Sequence, residues 1–402
     1  MNNRPPYWIE PYTTSFMVFV EDIRQTKDHF QIQIREDVIR PAGGGQAGDR
    51  GTLSVKNRHV SIRDTIIDSE KILLVSDSPV SVKSEGQLDI DIEWRTAMMK
   101  NHTSEHIFVS SLKKMVPDLA IGGLWIDGEH GSVEIMNVNL SFRDVFVAEK
   151  DVQRIISLDF PVQTEFADAD KIDPSVRARE GLINKHDILR IVKVGELDRS
   201  ACSGIHVERT GQIGFFKVTD VKHVDHNTKI EFVSGEKALS MTRDLYNSVL
   251  QRKYTYPFEI EQIGAILDRA KMAVDEKNLM IEKINQLVTK GANMEKVGPV
   301  EFRHEYLPGF ESKTLKNLAN QLSFSEPVIL LLFAPGKKAQ VILRTYHTKH
   351  DAKYYISEAV LNQGGKGGGS SENYTGGFHD VEDSMNLYNH LVSYVRGVLN
   401  TD

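Results

Sequence analysis

The chain has 402 residues, of which 40% are hydrophobic and 26% charged, and its formal net charge at pH 7 is −7. These values exclude a disordered chain and a protein that coats nucleic acid through bulk positive charge, and the length predicts two or three domains. No apolar stretch approaches the roughly 20 residues of a membrane-spanning helix, and the N-terminus shows no secretory signal, so we expect a soluble, cytoplasmic protein without a membrane partner. The single cysteine, Cys202, excludes an intrachain disulfide.

Residues 1–90 are predicted to form a small β-barrel domain. Short alternating apolar stretches between Tyr12 and Val82 are broken by glycine and aspartate, which is typical of a curled antiparallel sheet. A glycine loop, Gly43 to Gly51, lies between two of these strands and contains Gly44, Gly45, Gln46 and Asp49. Glycine there permits backbone conformations closed to other residues, and a plain turn is the alternative interpretation.

Residues 91–236 are predicted to form a two-layer domain, which makes the fold class α+β. A helix over residues 94–116 has apolar residues at helical spacing and ends before Pro117. Further along we expect a second helix over residues 145–157. Strands are predicted at residues 124–126, 133–138, 188–194, 214–218 and 229–233.

Residues 237–296 are predicted to form a helical coiled-coil linker. Apolar residues recur there every three or four positions, at Ile260, Ile263, Leu267, Ala270, Val274, Ile281, Ile284 and Val288. The coiled coil would form as a hairpin with residues 239–250, or with a second chain as a homodimer through the C-terminal half. An amphipathic helix packed on its own domain explains the same spacing equally well.

Residues 297–402 are predicted to form a C-terminal α/β domain. Its expected strands are residues 328–333 and 339–344, and residues 381–399 form its closing helix. Between them lies a glycine-rich segment, residues 364–369, which includes Lys366, Gly367 and Gly368. A nucleotide phosphate loop needs Ser or Thr after its Gly-Lys pair, and Lys366 is followed by glycine, so ATP binding is not expected.

Four side chains have the spacing of metal ligands. His102 and His106 are one turn apart on the first predicted helix, so both imidazoles project from one face, and Cys202 and His206 repeat the four-residue interval. A thiolate with imidazoles suits Zn²⁺, and we expect one Zn²⁺ per chain. Four protein ligands are typical of a structural site, whereas hydrolysis needs an open position, and the sequence leaves both possible. A metalloprotease is excluded because Glu105 does not directly follow the first histidine.

Three motifs resemble the editing domain of alanyl-tRNA synthetase. Residues 94–106 are similar to its histidine-bearing helix, residues 198–214 to its Cys-Gly-Gly-Thr-His-Val-x-x-Thr-Gly-x-Ile-Gly motif, and residues 43–51 to its Gly-Gly-Gln-x-x-Asp-x-Gly loop. The C-terminal part resembles the C-terminal domain of the same synthetase, and no aminoacylation domain precedes the motifs. The chain therefore resembles the long AlaX class of alanyl-tRNA editing proteins.

The resemblance implies hydrolysis of the ester that joins a wrong amino acid, usually serine and possibly glycine, to alanine tRNA. It implies zinc ligation by His102, His106, Cys202 and His206, with Gln46, His102 and Cys202 as catalytic residues. The implied substrate-binding residues are Gly44, Gly45, Gln46, Asp49, Asn101 and Ile205. The implied tRNA contacts of the C-terminal domain are Lys366, Gly367 and Gly368.

The sequence departs from the family pattern around the substrate. Asn101 replaces a frequent histidine, Ser203 a glycine and Ile205 a threonine, while Asp37 and Ala42 stand where threonine and glutamate are common. Because a site recognises a hydroxyl through polar groups, these changes bear on the amino acid removed. A tRNA-binding protein with a structural zinc, and a hydrolase of another aminoacyl ester, are therefore alternative functions. Cys202 as a nucleophile is the alternative mechanism, disfavoured if zinc occupies the thiolate.

Overall fold

The computed structural model describes residues 4–69, 71–169, 172–173, 176–177 and 188–401, without the side chains of residues 285 and 288–290. The chain forms two compact units, Met1–Gln251 and Arg252–Asp402. The finer domain boundaries at residues 90, 236 and 296 stay predictions. Among the described residues, no helix has both the length and the apolar character needed to cross a membrane.

The predicted N-terminal barrel is confirmed. After a short helix, α1 (Pro6–Ile9), six antiparallel strands close on themselves in the order β1-β2-β5-β4-β3-β6. They are β1 (Ser15–Gln25), β2 (Phe30–Ile34), β3 (Gly51–Val55), β4 (Arg58–Asp68), β5 (Lys71–Ser76) and β6 (Ser84–Ile90). Alternate residues such as Ile32 and Ile34 point inward and fill the barrel, as the period of two requires. The glycine loop lies between β2 and β3.

The rest of the first unit packs helices against two antiparallel sheets. Its helices are α2 (Ile92–Met115), α3 (Phe142–Leu158) and α4 (Glu236–Lys253). One sheet has the order β12-β13-β8-β7, formed by β7 (Ala120–Ile126), β8 (Gly131–Met136), β12 (Phe216–Val224) and β13 (Asn227–Ser234). The other has the order β11-β10-β9, formed by β9 (Val162–Asp168), β10 (Ile188–Val194) and β11 (Asp198–Ala201). The predicted α+β class is thus confirmed for this region.

Helix α2 is the centre of this unit. The Asp91 side chain accepts a hydrogen bond from the backbone N–H of Trp94 and so caps the first turn. Its apolar residues, including Ile107 and Phe108, join the main core together with residues of α3 and of β12 and β13. Its polar residues from Asn101 to His106 are buried as well. A helix that buries so many polar groups needs partners for them, and those partners define the candidate site.

The second unit contains one six-stranded sheet in the order β14-β15-β16-β17-β19-β18. The strands of this sheet are β14 (Met294–Val297), β15 (Val300–Tyr306), β16 (Val328–Ala334), β17 (Gln340–Tyr346), β18 (Lys366–Gly369) and β19 (Asn373–Gly377). The helices of the second unit are α5 (Ile263–Lys290), α6 (Ser312–Gln321), α7 (Ala352–Asn362) and α8 (Ser384–Thr401). Only β15 and β16, joined through α6, run parallel among these strands. The sheet is therefore mixed, whereas an α/β domain was predicted.

A coiled-coil hairpin within the chain is not seen among the described residues, and a seam between two chains stays a prediction. Helix α5 forms where expected, but its heptad positions remain open to solvent: Leu267 is 62% exposed, Val274 54% and Ile281 46%. The Val288 side chain lies outside the described residues. Toward the end of α5, Leu287 packs against a small core of its own unit and Lys283 forms an ion pair with Glu305. Heptad spacing predicts an apolar stripe correctly, but it does not specify what covers the stripe.

Asp151 provides a test of how α2 and α3 are held together. From α3 it accepts hydrogen bonds from Ser111 and Lys114 of α2 and from Arg154 of its own helix. Burial raises the pKa of the Asp151 carboxyl, but these donors outweigh it and lower the pKa from 3.8 to about 2. We expect Asp151→Asn to reduce the free energy of unfolding by about 1 kcal/mol at pH 7, because Lys114 and Arg154 are half exposed.

Because the folded-state pKa is depressed, this stabilisation is present above about pH 4 and is lost as the pH falls toward 2. Urea unfolding followed by tryptophan fluorescence measures it, since Trp8, Trp94 and Trp125 all lie in the first unit. Asp118→Asn is the matched control, because the described residues give this exposed carboxylate no hydrogen bond or ion pair. Equal effects of the two substitutions at pH 7 would contradict the assignment.

Candidate metal centre

The four predicted ligands meet at one point. His102 and His106 lie one turn apart on α2, and Cys202 and His206 follow β11. One donor atom from each lies within 4.8 Å of the other three. Cys202 Sγ is 3.4 Å from His102 Nε2 and 3.3 Å from His206 Nε2. In a tetrahedral zinc site with bonds of about 2.3 Å to sulfur and about 2.0 Å to nitrogen, sulfur and nitrogen are roughly 3.5 Å apart. The donor spacing therefore fits such an ion.

Each histidine is oriented by a hydrogen bond on its Nδ1 side. His106 Nδ1 lies 2.9 Å from Asp198 Oδ2, and His102 Nδ1 lies 3.1 Å from Gln46 Oε1. His206 Nδ1 lies 3.2 Å from Thr103 Oγ1, whose own proton is donated to the Met99 carbonyl. All three oxygens act as acceptors, so Nδ1 carries a proton and Nε2 is the nitrogen that faces the thiolate and can bind a metal in the neutral imidazole. Partners of this kind fix the tautomer and raise the basicity of metal-binding histidines.

The charges around the donors favour the ligand form of the cysteine. Burial disfavours the Cys202 thiolate, but the neighbouring His102 outweighs it and holds the pKa of the thiol well below its usual value. Burial also raises the pKa of the Asp198 carboxyl, but Arg177 outweighs it and lowers that pKa to about 2. Asp198 in turn helps to raise the pKa of His106 to about 10 against the effect of burial. Metal binding must therefore displace a proton from His106.

A second carboxylate, Glu105, is buried beside His106. Arg177 donates to Glu105 Oε1 at 3.1 Å and to Ser200 Oγ at 2.8 Å, and lies 3.5 Å from Asp198. One guanidinium thus neutralises the two carboxylates that flank the histidine. Without it, two buried negative charges would lie side by side at a substantial electrostatic cost.

The glycine loop brings Gln46 to the centre. Gly44 and Gly45 both have positive φ, and the backbones of Gly43 and Gln46 pair across them, which closes a two-residue turn. Gln46 Oε1 accepts from the Ile205 backbone N–H at 3.1 Å, which fixes the orientation of the amide. Gln46 Nε2 is buried and has no hydrogen-bond partner among the described residues. An unused donor therefore lies next to His102.

Two buried charged residues hold this loop in place. Arg40 donates to the carbonyls of Pro41, Gly43 and Ala47 at 2.7–2.9 Å. Asp49 forms a two-point ion pair with Arg95 of α2, at 2.5 and 3.0 Å, in which both side chains are fully buried. Both carboxylate oxygens of Asp49 are thus engaged by the protein, so a direct contact with substrate would require these bonds to break.

The other predicted site residues are placed as follows. Asn101 is buried and donates to the Asp127 carbonyl, and the Ile205 side chain packs in the main core. Lys366, Gly367 and Gly368 belong to the exposed edge strand β18 of the second unit. Their predicted roles stay predictions.

Sequence reasoning did not identify Thr103, Arg177, Arg190 and Asp198 as site residues. Arg190 donates to the Cys202 carbonyl at 2.9 Å and to the Gly204 carbonyl at 2.6 Å. A charged residue inside the apolar strand β10 was the available signal for it. For Arg177, which lies between β9 and β10, the sequence offers no comparable signal.

Gly204 is the tightest point of the centre. A Cβ atom added there would lie 2.1 Å from His102 Cε1 and 2.5 Å from Gln46 Oε1. We expect Gly204→Ala to push His102 aside and to weaken metal binding at least tenfold, measured by competition with a chelator. Ser203→Ala is the control and should bind metal as the unmodified chain does. Unchanged affinity in Gly204→Ala would show that His102 does not need this position.

The chain is similar in sequence to several known proteins. Residues 189–243 match the family described as "Threonyl and Alanyl tRNA synthetase second additional domain". The alanyl-tRNA editing protein AlaX-L of Pyrococcus horikoshii is 28% identical over 385 residues, which cover 90% of this chain and 92% of that protein.

Alanine–tRNA ligases are also similar. That of Methanoregula boonei is 26% identical over 94% of this chain and 42% of the ligase, and that of Rickettsia rickettsii is 25% identical over 93% and 45%. The chain thus spans less than half of these ligases. The match to the crystal structure of the C-Ala domain from Aquifex aeolicus alanyl-tRNA synthetase is 22% identical and covers 27% of this chain and 98% of that domain, with a TM-score of 0.24. The chain is a homologue of the alanyl-tRNA editing protein AlaX-L and is similar to part of the alanine–tRNA ligases.

Proposed function

We propose that this chain is a trans-editing hydrolase that removes a wrongly attached amino acid from alanine tRNA. Serine is the main amino acid proposed, and glycine is the second candidate. The observation that carries the proposal is the convergence of three Nε2 atoms and one thiolate beside an unpaired glutamine amide. Its cofactor would be one Zn²⁺ held by His102, His106, Cys202 and His206. The similarity to AlaX-L over nearly the whole chain supports the same reaction class.

When bound, zinc would polarise an ester carbonyl or lower the pKa of a bound water toward about 7, provided that one of the four ligands leaves or the zinc accepts a fifth ligand. The chain itself contributes position and polarity. Gln46 holds His102 through Oε1 and keeps its Nε2–H donors free for a ligand oxygen. A preorganised donor of this kind stabilises charge that develops on an oxygen in the transition state. Cys202 is surrounded by imidazoles and suits the role of a ligand better than that of a nucleophile.

Two other functions make different predictions for one experiment. Four protein donors can fill a tetrahedron, which favours a structural zinc in a tRNA-binding protein without catalysis. A hydrolase of another aminoacyl ester would spare both serine and glycine. Deacylation of serine- and glycine-charged alanine tRNA, measured with zinc content and tRNA binding, distinguishes the three. Binding with zinc present and no hydrolysis of either substrate would overturn the editing proposal.

The proposed partner is aminoacylated alanine tRNA. In the second unit, the residues Lys366, Gly367 and Gly368 are exposed on the edge strand β18, and the lysine ammonium and the edge suit a phosphate contact. A homodimer through the C-terminal half also remains a proposal. The exposed apolar face of α5 supports it, and light scattering on the full chain tests it.

Substitution of His106 tests whether hydrolysis depends on bound zinc. Replacing it with alanine removes a ligand and leaves Asp198 without its imidazole, so we expect zinc content and deacylation to fall together by at least a hundredfold. His226→Ala, at an exposed hairpin, should change neither. A His106→Ala protein that has lost zinc but deacylates at the full rate would exclude metal catalysis.

Substitutions of Gln46 distinguish its role in orienting the metal ligand His102 from a role in catalysis. In Gln46→Glu, a carboxylate oxygen can still accept from His102 and Ile205, but the Nε2–H donors are gone. We therefore expect zinc to be retained while kcat for deacylation falls about a hundredfold. Gln46→Met, which lacks both functions, should lose zinc affinity as well. An unchanged kcat in Gln46→Glu would show that the amide does not act on the substrate.

A further inference from the structure

Two neighbouring aromatic rings with a guanidinium group at each end lie beside the metal centre. Its members are Arg190, Trp8, Phe166 and Arg4, which we call the stacking row. The Arg190 guanidinium is 5.3 Å from the Trp8 ring, the Trp8 and Phe166 rings are 6.1 Å apart, and the Arg4 guanidinium is 3.8 Å from the Phe166 ring. The row therefore offers two π systems flanked by two positive charges.

One end of the row is attached to the metal-binding segment. The Trp8 indole N–H donates to the Ser203 carbonyl at 2.9 Å, and Arg190 donates to the carbonyls on both sides of Ser203. Trp8 and Arg190 also line a cleft of about 170 Å³ together with Ile205 and His206. The other end is the exposed Arg4. The row thus leads from the metal centre to the protein surface.

The row contains interaction capacity that the fold does not use. Arg190 is only 8% exposed, and besides the two carbonyls it donates to Thr164 Oγ1 at 3.4 Å. Its Nε has no hydrogen-bond partner, and among the described residues the negative group near it is the Cys202 thiolate and not a carboxylate. Phe166 is half-buried and belongs to none of the hydrophobic clusters of the described chain. A buried guanidinium without a carboxylate partner favours an anionic ligand.

We infer that the stacking row binds the single-stranded 3′ end of the RNA substrate, with bases on Trp8 and Phe166 and phosphates at Arg190 and Arg4. Aromatic rings next to arginines suit single-stranded nucleic acid, because every base has a π face and every nucleotide a phosphate. The inference rests on the proposed function, since it takes the reacting ester to lie at the metal centre. It would carry the last nucleotides from the surface to the cleft.

The test uses Arg4→Ala/Phe166→Ala, since neither residue contacts a proposed metal ligand. The probe is the fluorescently labelled ribo-tetranucleotide 5′-ACCA-3′, whose binding to the full zinc-loaded chain is measured by anisotropy. We expect about tenfold weaker binding, which corresponds to ~1.4 kcal/mol. The matched control is Phe142→Ala/Arg143→Ala, an exposed aromatic–arginine pair on α3, which should bind as the unmodified chain does. Equal affinity of the two variants for the probe would overturn the inference.

Two further measurements keep the outcome clear if the double variant is unstable. Arg4→Ala alone changes only an exposed side chain, and it should reduce the slope of log affinity against log salt by about 0.7, as expected for one lost phosphate contact on a single strand. An unchanged slope would show that Arg4 makes no phosphate contact, which contradicts its assignment to the stacking row. Phe166→Ala alone should leave the binding of polyphosphate unchanged while weakening that of the tetranucleotide, because only the latter has bases.

Deacylation separates this inference from the proposed function. If both hold, the row variants raise KM for charged tRNA with little change in kcat. If the unmodified chain deacylates charged tRNA and the row variants have the same KM, the stacking row does not bind the RNA, and the editing function stands. If the row variants lose tetranucleotide binding but the unmodified chain hydrolyses no ester, the row stands and the editing function fails.

Discussion

The centre depends on one constraint, which is that three buried imidazoles must all present Nε2 to the same thiolate. Each ring meets it by donating Nδ1–H to an oxygen that is itself fixed: Asp198 for His106, Gln46 for His102 and Thr103 for His206. Such a network is stable only when all its members are satisfied, because an unpaired polar group is expensive in a medium of low dielectric constant.

The residues that hold the metal centre in place come from separate parts of the first unit. The barrel contributes the glycine loop, and the fully buried Asp49–Arg95 ion pair fastens that loop to α2, the helix that carries two of the four donors. Strand β10 contributes Arg190, which binds the carbonyls around Ser203, and β11 contributes Asp198. The barrel and the helical layer therefore form one functional body.

The sequence was sufficient to predict those features that depend on a regular spacing of residues along a helix or strand. The four-residue intervals placed the two donor pairs correctly, and the alternation of the first 90 residues predicted the closed barrel. It was insufficient where tertiary packing decides. The apolar stripe of α5 was read as a coiled coil, although Leu267 and Val274 remain exposed. Arg177 reaches Glu105 from 72 positions along the chain, and no local pattern encodes such a pairing.

X-ray absorption spectroscopy at the zinc edge of the purified full chain tests the central claim most directly. The account predicts one zinc per chain, bound by one sulfur at about 2.3 Å and nitrogens at about 2.0 Å. The sulfur shell should disappear in Cys202→Ser while the unmodified chain retains it. A protein that binds zinc without a sulfur neighbour, or binds none after reconstitution, would contradict the assignment of Cys202, His102, His106 and His206 to one metal.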